Sequence, residues 1–273
     1  MRNTKSISEI QEISRHIRRK IINISHLKKA SHIGTSLSIV DILAYIYSNI
    51  LNISVSTVSS PDRDRLILSK GHGCLALYTV LEYFKFFSSS ILDTYSDNGS
   101  PLMGHATKDC VPGVEASAGS LGHGLALSCG IALAGKHDKR QYKVYTILGD
   151  GECNEGTIWE SALFASHHKL DNLTVIVDYN KLQGMGYVKD ILNLEPFAKK
   201  FEAFGWAVRE IDGHNLNEID ETFSSLPFND GKPSLILAHT LKGKGVSYME
   251  DNIDWHYKSP DENQIRQAFE ELI

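Results

Sequence analysis

Residues 143–180 read KVYTILGDGECNEGTIWESALFASHHKLDNLTVIVDYN. The run 143–148 is apolar and ends on Gly149-Asp150-Gly151. A helical stretch follows over 156–168. A second apolar, β-branched run, 172–178, leads into Asp178-Tyr179-Asn180. Strand, helix and strand in this order form the βαβ unit of a parallel sheet. Ligands of open α/β sheets bind beyond the carboxyl ends of the strands. Asp150 and Asn180 lie 30 residues apart, one such unit, so both are expected at the same edge of the sheet.

The alternation continues on the C-terminal side. Helix is expected over 196–204, strand over 206–211, helix over 216–226, strand over 234–239 and helix over 261–272. Upstream, Ile7, Ile10, Ile13, Ile17, Ile21, Ile24 and Leu27 are spaced three or four residues apart. That spacing predicts one amphipathic helix, and Ser6 with Glu9 fits a capping box at its start. A second helix is expected over 39–50, a short strand over 65–69, and helices over 71–87 and 121–136. Residues 96–119 carry glycine and proline without periodicity and read as a long functional loop. There is no internal repeat or linker. The expected architecture is a doubly wound, mostly parallel α/β sheet with helices on both faces, one domain over 1–273.

The chain has 273 residues, with 28 basic against 33 acidic side chains, a net charge of −5. Hydrophobic residues make up 42% and charged residues 22%, which excludes disordered, collagen-like and disulfide-dense classes. Mild acidity argues against a general nucleic-acid or membrane-surface binder. No apolar run approaches the roughly 18 residues that span a bilayer. The N-terminus lacks the apolar core of a secretory signal. Cys74, Cys110, Cys129 and Cys153 form no C-x-x-C pair and no zinc spacing. Reduced thiols in a cytoplasmic protein are expected.

A Gly-Asp-Gly by itself is an ordinary turn. Asn180 at a second strand end changes its reading. Asp and Asn oxygens are hard ligands for Mg²⁺ or Ca²⁺, and a single carboxylate is typical of a metal shared with phosphate. The glycines permit close backbone approach, and a helix starting near Gly156 can aim amides at a phosphate. The pattern points to a metal–diphosphate site.

The spacing Gly149-Asp150-Gly151 to Asn180 resembles the thiamine diphosphate motif of the transketolase family. So do SHIGTSLSIVDIL (31–43), DRLILSKGHG (64–73), MGHA (103–106), GVEASAGSLGHGLALSCGIALAGK (113–136) and TLKGKGVSYMEDNIDWH (240–256), in family order. The resemblance covers almost the whole chain. It implies thiamine diphosphate and Mg²⁺, with Ca²⁺ or Mn²⁺ able to substitute, and transfer of a ketol unit between sugar phosphates, as in the pentose phosphate pathway. By resemblance, Asp150, Asn180 and the Leu182 carbonyl hold the metal. Gly149 and Gly151 meet the diphosphate, and Gly119 and Leu121 pack beside the cofactor. His32, His72, His105 and His256 line the cofactor–substrate channel, with His72 and His256 also touching the cofactor. Glu155 is implied at a subunit interface, where it links paired active sites; a helix-start glutamate is the plainer alternative. His123 stands where many relatives carry Gln and is a candidate cofactor contact. Lys242 and Lys244 either neutralise phosphate or are solvated loop lysines. The other histidines, His214 among them, match no motif.

The resemblance ends with the diphosphate-binding part of a transketolase. It implies a pyrimidine-binding domain on a C-terminal partner subunit, in a 2+2 heterotetramer, and no activity without that partner. Other thiamine reactions on the same half-site stay open: 1-deoxyxylulose-5-phosphate synthesis, a specialised sugar-phosphate transketolase, or a non-catalytic regulatory subunit. Thr35, Ser120, Tyr257 and the Gly184-Met-Gly186 stretch depart from the family pattern and leave local substrate contacts open.

Overall fold

Five parallel strands form one sheet in the order β1-β2-β3-β5-β4. They are β1 (Arg65–Leu68), β2 (Val144–Gly149), β3 (Leu173–Tyr179), β4 (Ala207–Asp212) and β5 (Ser234–His239), each within two residues of its expected limits. The computed structural model describes residues 4–273; the first three residues of the basic N-terminus lie outside the described residues. The helices are α1 (Ile7–Lys28), α2 (Ile33–Ser38), α3 (Val40–Tyr45), α4 (Cys74–Tyr83), α5 (Ser89–Leu92), α6 (His123–His137), α7 (Gly156–His167), α8 (Val188–Ile191), α9 (Phe197–Ala203), α10 (Leu216–Ser224) and α11 (Glu262–Glu271).

Strands β1, β2, β3 and β5 are buried on both faces, which is why they are mostly apolar. Alternate residues feed two cores. Leu66, Leu68, Tyr145, Ile147, Ile176 and Ile236 pack with the α1, α3, α4 and α10 side. Ile67, Val144, Leu148, Val175, Val177 and Leu237 pack with the α6, α7 and α9 side. The edge strand β4 exposes Arg209 and Glu210, charges that discourage edge-to-edge pairing.

The N-terminal helix behaves as its spacing requires. Ile10, Ile13, Ile17, Ile21 and Ile24 are buried, and Ser6 and Glu9 form the capping box. Three expectations need correction. The helix expected over 39–50 is preceded by α2, breaks at Ile39 (φ −102°, ψ 5°) and ends in a wider π turn over Ile46–Ile50. Gly34, Thr35, Ser36 and Ser38, four of the six residues of α2, are poor helix formers, and burial of all six holds the turn in place. The helix expected over 71–87 is helical only over α4, because Gly71–Gly73 form a tight 3₁₀ turn. Helix α6 starts at His123 rather than at 121, since Gly122 is left-handed (φ 85°). A Cβ on Gly122 would lie 2.2 Å from Thr157 Oγ1, so only glycine fits there. The short helices α5 and α8 carry no signal in the sequence.

Candidate functional site

Strand register brings the two polar strand ends together. Gly149 pairs with Asp178, so Asp150 and Asn180 emerge side by side at the carboxyl edge. Asp150 is 3% exposed; its carboxylate accepts the Gly151 amide at 2.6 Å and the Lys181 amide. Asn180 donates its Nδ2 to Asp178 Oδ2 at 2.9 Å, while its Oδ1 accepts the Leu182 amide at 3.1 Å. The Asp178 contact thus fixes which way the Asn180 amide faces. Burial pushes the Asp150 carboxyl up to about 6, the Asp178 charge adds to it, and the Gly151 and Lys181 amides oppose it.

A buried charged floor supports these groups. Lys70 and Asp178 form an ion pair at 1% and 0% side-chain exposure. The Lys70 ammonium also donates to the Thr35 carbonyl at 3.0 Å and the Thr35 hydroxyl at 2.6 Å. Asp178 accepts from Ser38 and Thr240 besides Asn180. Glu152 ties three elements together: it accepts from Ser69 at the end of β1, from the Gly122 amide before α6 (2.8 Å) and from the Gly149 amide on β2 (3.0 Å). Lys242 is 1% exposed and donates to the Leu182 carbonyl at 2.9 Å. Burial, reinforced by the Lys70 charge, lowers its ammonium to about 8 against the pull of Asp150 and Asp178.

Four imidazoles stand above this floor. Ring centroids of His32 lie 5.3 Å from His72, 5.8 Å from His105 and 5.0 Å from His256. His32 caps α2 in a left-handed conformation (φ 67°), and its amide donates to the His256 carbonyl at 2.8 Å. Burial, then neighbouring positive groups, lowers His32 to about 4, His72 to about 2 and His256 to about 3. These three are therefore neutral at pH 7, each with one donor and one acceptor nitrogen. Lys242 Nζ lies 2.9 Å from His256 Nδ1, so this nitrogen accepts and Nε2 carries the proton.

Floor and histidines enclose a cavity of about 330 Å³. It is lined by His32, His72, His105 and His256, and by Gly119, Leu121, Gly149, Asp150, Gly151, Asn180 and Leu182, all expected from the sequence. Glu155 is outside it: this residue is exposed before α7. His123 is also exposed and does not line the cavity, and its Nδ1 lies 3.2 Å from the Leu121 carbonyl. The expected use of the α7 N-terminus needs correction as well. A 3₁₀ turn, Gly151–Asn154, precedes α7, and Gly151 lines the cavity where Gly156 does not. Sequence reasoning missed Lys70, Glu152 and Gln183, singled out Thr35 only as a departure from the family pattern and Asp178 only as a polar strand end, and read Lys242 most plainly as a solvated lysine. A lysine directly after an apolar strand, at Ser69-Lys70-Gly71, was the available signal for Lys70.

The residues present suit a divalent cation carrying a diphosphate. The donor set is carboxylate, amide oxygen and main-chain carbonyl, all hard oxygens. Gln183 lines the cavity, and its Nε2 is buried without a partner, a donor that a phosphate oxygen satisfies. A Cβ on Gly151 would meet the Gln183 side chain at 2.8 Å, so glycine keeps this approach open.

Comparison with known proteins agrees with this geometry. Residues 10–272 match the family described as transketolase, thiamine diphosphate binding domain. The chain is 42% identical over 255 residues to one of the subunits of the apulose-4-phosphate transketolase of Phocaeicola vulgatus, covering 93% of this chain and 90% of that protein. It is 43% identical over 241 residues to a 6-deoxy-6-sulfo-D-fructose transketolase subunit of a Clostridium species, covering 88% of each. The crystal structure of transketolase from Campylobacter jejuni superposes with a TM-score of 0.92 at 30% identity, over 98% of this chain but 43% of that one. The chain thus spans about two fifths of the solved transketolase and most of the length of the two subunits. It belongs to the transketolase family, to which it corresponds through the thiamine diphosphate binding domain.

Proposed function

We propose that this chain is the diphosphate-binding subunit of a two-chain transketolase. It acts with thiamine diphosphate and Mg²⁺, which Ca²⁺ or Mn²⁺ can replace, and moves a ketol unit from a ketose phosphate to an aldose phosphate. The observation that carries the reading is the convergence of Asp150, Asn180 and the Leu182 carbonyl beneath four imidazoles. Thiamine diphosphate, when bound, supplies the carbon centre that cleaves the ketose and carries its two-carbon unit. This chain's own part is to hold the metal through Asp150, Asn180 and Leu182. Gly149, Gly151, Gln183 and Lys242 bind the diphosphate. The neutral imidazoles of His32, His72 and His256, with His105, bind substrate hydroxyls and move protons at their ring nitrogens.

The partner is a C-terminal subunit with the pyrimidine-binding domain, in a 2+2 heterotetramer acting in the cytoplasm. Two features support association. Leu127 on α6 and Leu163 and Phe164 on α7 are large apolar side chains 47%, 59% and 40% exposed, on two helices that pack against each other. Glu155 sits exposed at the start of α7, which suits a place between subunits. Four free cysteines suit a reducing compartment. The names of the two related subunits favour one refinement, a specialised ketose bearing an anionic group, a phosphate in one name and a sulfonate in the other.

Native mass spectrometry of the complex isolated from the host, with Mg²⁺ and thiamine diphosphate present, tests this. A 2+2 assembly carrying cofactor is expected. A homodimer without partner or cofactor overturns the reading and moves the regulatory alternative forward.

A further inference from the structure

Asp41 lies away from the cavity, on α3, and is 6% exposed. Its carboxylate takes both guanidinium nitrogens of Arg18 from α1, at 2.9 and 2.6 Å, and His214 Nδ1 at 2.8 Å. Both partners of Asp41 have a second contact, and both contacts fall on one loop. His214 Nε2 accepts the Leu241 amide at 2.9 Å, and Arg18 Nε donates to the Lys244 carbonyl at 3.1 Å. Lys242 lies between these two points, with its ammonium 2.9 Å from the Leu182 carbonyl and from His256 Nδ1. The Gly243 amide donates to the Gly34 carbonyl at 2.9 Å, which closes the grip.

We propose that Asp41, Arg18 and His214 are positioning residues: a buried clamp that fixes the backbone on both sides of Lys242 and so aims its ammonium at the diphosphate-binding floor. The chemistry assigns each role. The Leu241 amide can only donate, so His214 Nε2 is the acceptor and Nδ1 carries the proton given to Asp41. Asp41 is the one acceptor that sets both donors at once. A lysine has four rotatable side-chain bonds, so an unfixed backbone would let its ammonium wander, at a cost in binding. The Gly245 turn serves the same clamp: at φ 95° it passes Arg18 closely, and a Cβ there would lie 3.0 Å from Arg18 Cδ. The proposal rests on the metal–diphosphate reading of the cavity.

The diagnostic pair is His214→Asn and His214→Gln. Asn keeps a donor for Asp41, so no charge is stranded, but ends short of Leu241. Gln carries both a donor and an acceptor on a longer arm. Two measurements are made on the purified protein in its native assembly. One is calorimetric titration with thiamine diphosphate and Mg²⁺; the other is hydrogen exchange over residues 240–246 without ligand. The clamp predicts about tenfold weaker binding and faster loop exchange in His214→Asn, an unchanged thermal midpoint, and recovery of both in His214→Gln. Unchanged exchange in His214→Asn, or Asn and Gln variants that behave alike, overturns the clamp. Asp150→Ala separates the two claims. If it binds as tightly as wild type, the reading of the cavity fails; if it loses binding while His214→Asn does not, the clamp alone fails.

Discussion

The floor and the rim of one cavity are built on opposite principles. Lys70, Asp178, Asp150 and Lys242 are at most 3% exposed, and each is held by several partners. At the rim, Met185 is 81% exposed and Tyr257 65%. A buried ionic network tolerates little change, because any lost partner leaves a charge in low dielectric. It suits a ligand part that never varies, such as a metal-bound diphosphate. Rim side chains can be exchanged at little cost to the fold, which suits the part of a substrate that differs between sugars.

The sharpest way to break that contrast is Lys70→Met. Asp178 would keep its charge at 0% exposure and lose its counter-ion. The expected loss is about 3–5 kcal/mol of folding stability, read as the urea midpoint without ligand. A loss below about 1 kcal/mol would mean that the floor behaves like a surface pair.

Asp150→Ala separates folding from binding within the floor. Its carboxylate gives two acceptors to backbone amides, yet it is buried beside a second carboxylate. These effects oppose one another, so the ligand-free stability should move by less than about 1 kcal/mol. Binding of thiamine diphosphate with Mg²⁺ should fall by at least about 100-fold. Equal affinity in the variant, by calorimetry, would remove Asp150 from the metal site.

The imidazoles between floor and rim give the contrast a pH signature. His32 and His256 are lowered from an ordinary 6.5 to about 4 and about 3, chiefly by burial. As pH falls below 6.5 the unfolded chain takes up these protons before the folded chain does. Stability therefore rises with pH across this window and is lost progressively between about 6.5 and 4 for His32 and between about 6.5 and 3 for His256. His32→Asn tolerates the left-handed backbone and removes one such group. Denaturation at pH 7 and pH 5 should show a smaller drop in this variant than in wild type; an equal drop would exclude His32 as a source.

The same division explains what could be read from the sequence. The sheet was legible because parallel strands are buried on both faces and so are written as apolar runs. Asp150 and Asn180 were legible because both stand directly after such runs. Lys242 was not, since Leu241-Lys242-Gly243-Lys244-Gly245 looks like a solvated turn until Leu182 and His256 close over it. His214 was invisible for a similar reason: its partners Asp41 and Leu241 are 173 and 27 residues away. Local pattern gives elements and strand ends; it does not give a partner brought in by packing. Helix α2 was missed because burial, not propensity, makes it helical.

The rim supplies the smallest expected effect and the most specific one. The Tyr257 ring centroid lies 4.7 Å from that of His256 and 6.2 Å from that of His32, and its hydroxyl lies near Gly184. It forms an exposed wall of the cavity mouth rather than part of a core. Tyr257→Gly leaves no internal void, and the backbone entropy of glycine sets its cost at less than about 1 kcal/mol. Affinity for thiamine diphosphate should not change, because no floor contact depends on the phenol. What should change is discrimination: the ratio of kcat/KM for two ketose phosphates of different chain length should shift by about 3–10-fold, or up to about 1.4 kcal/mol. If cofactor affinity falls and discrimination does not, Tyr257 belongs to the floor, and exposure alone does not divide the groups that hold the cofactor from those that select the sugar.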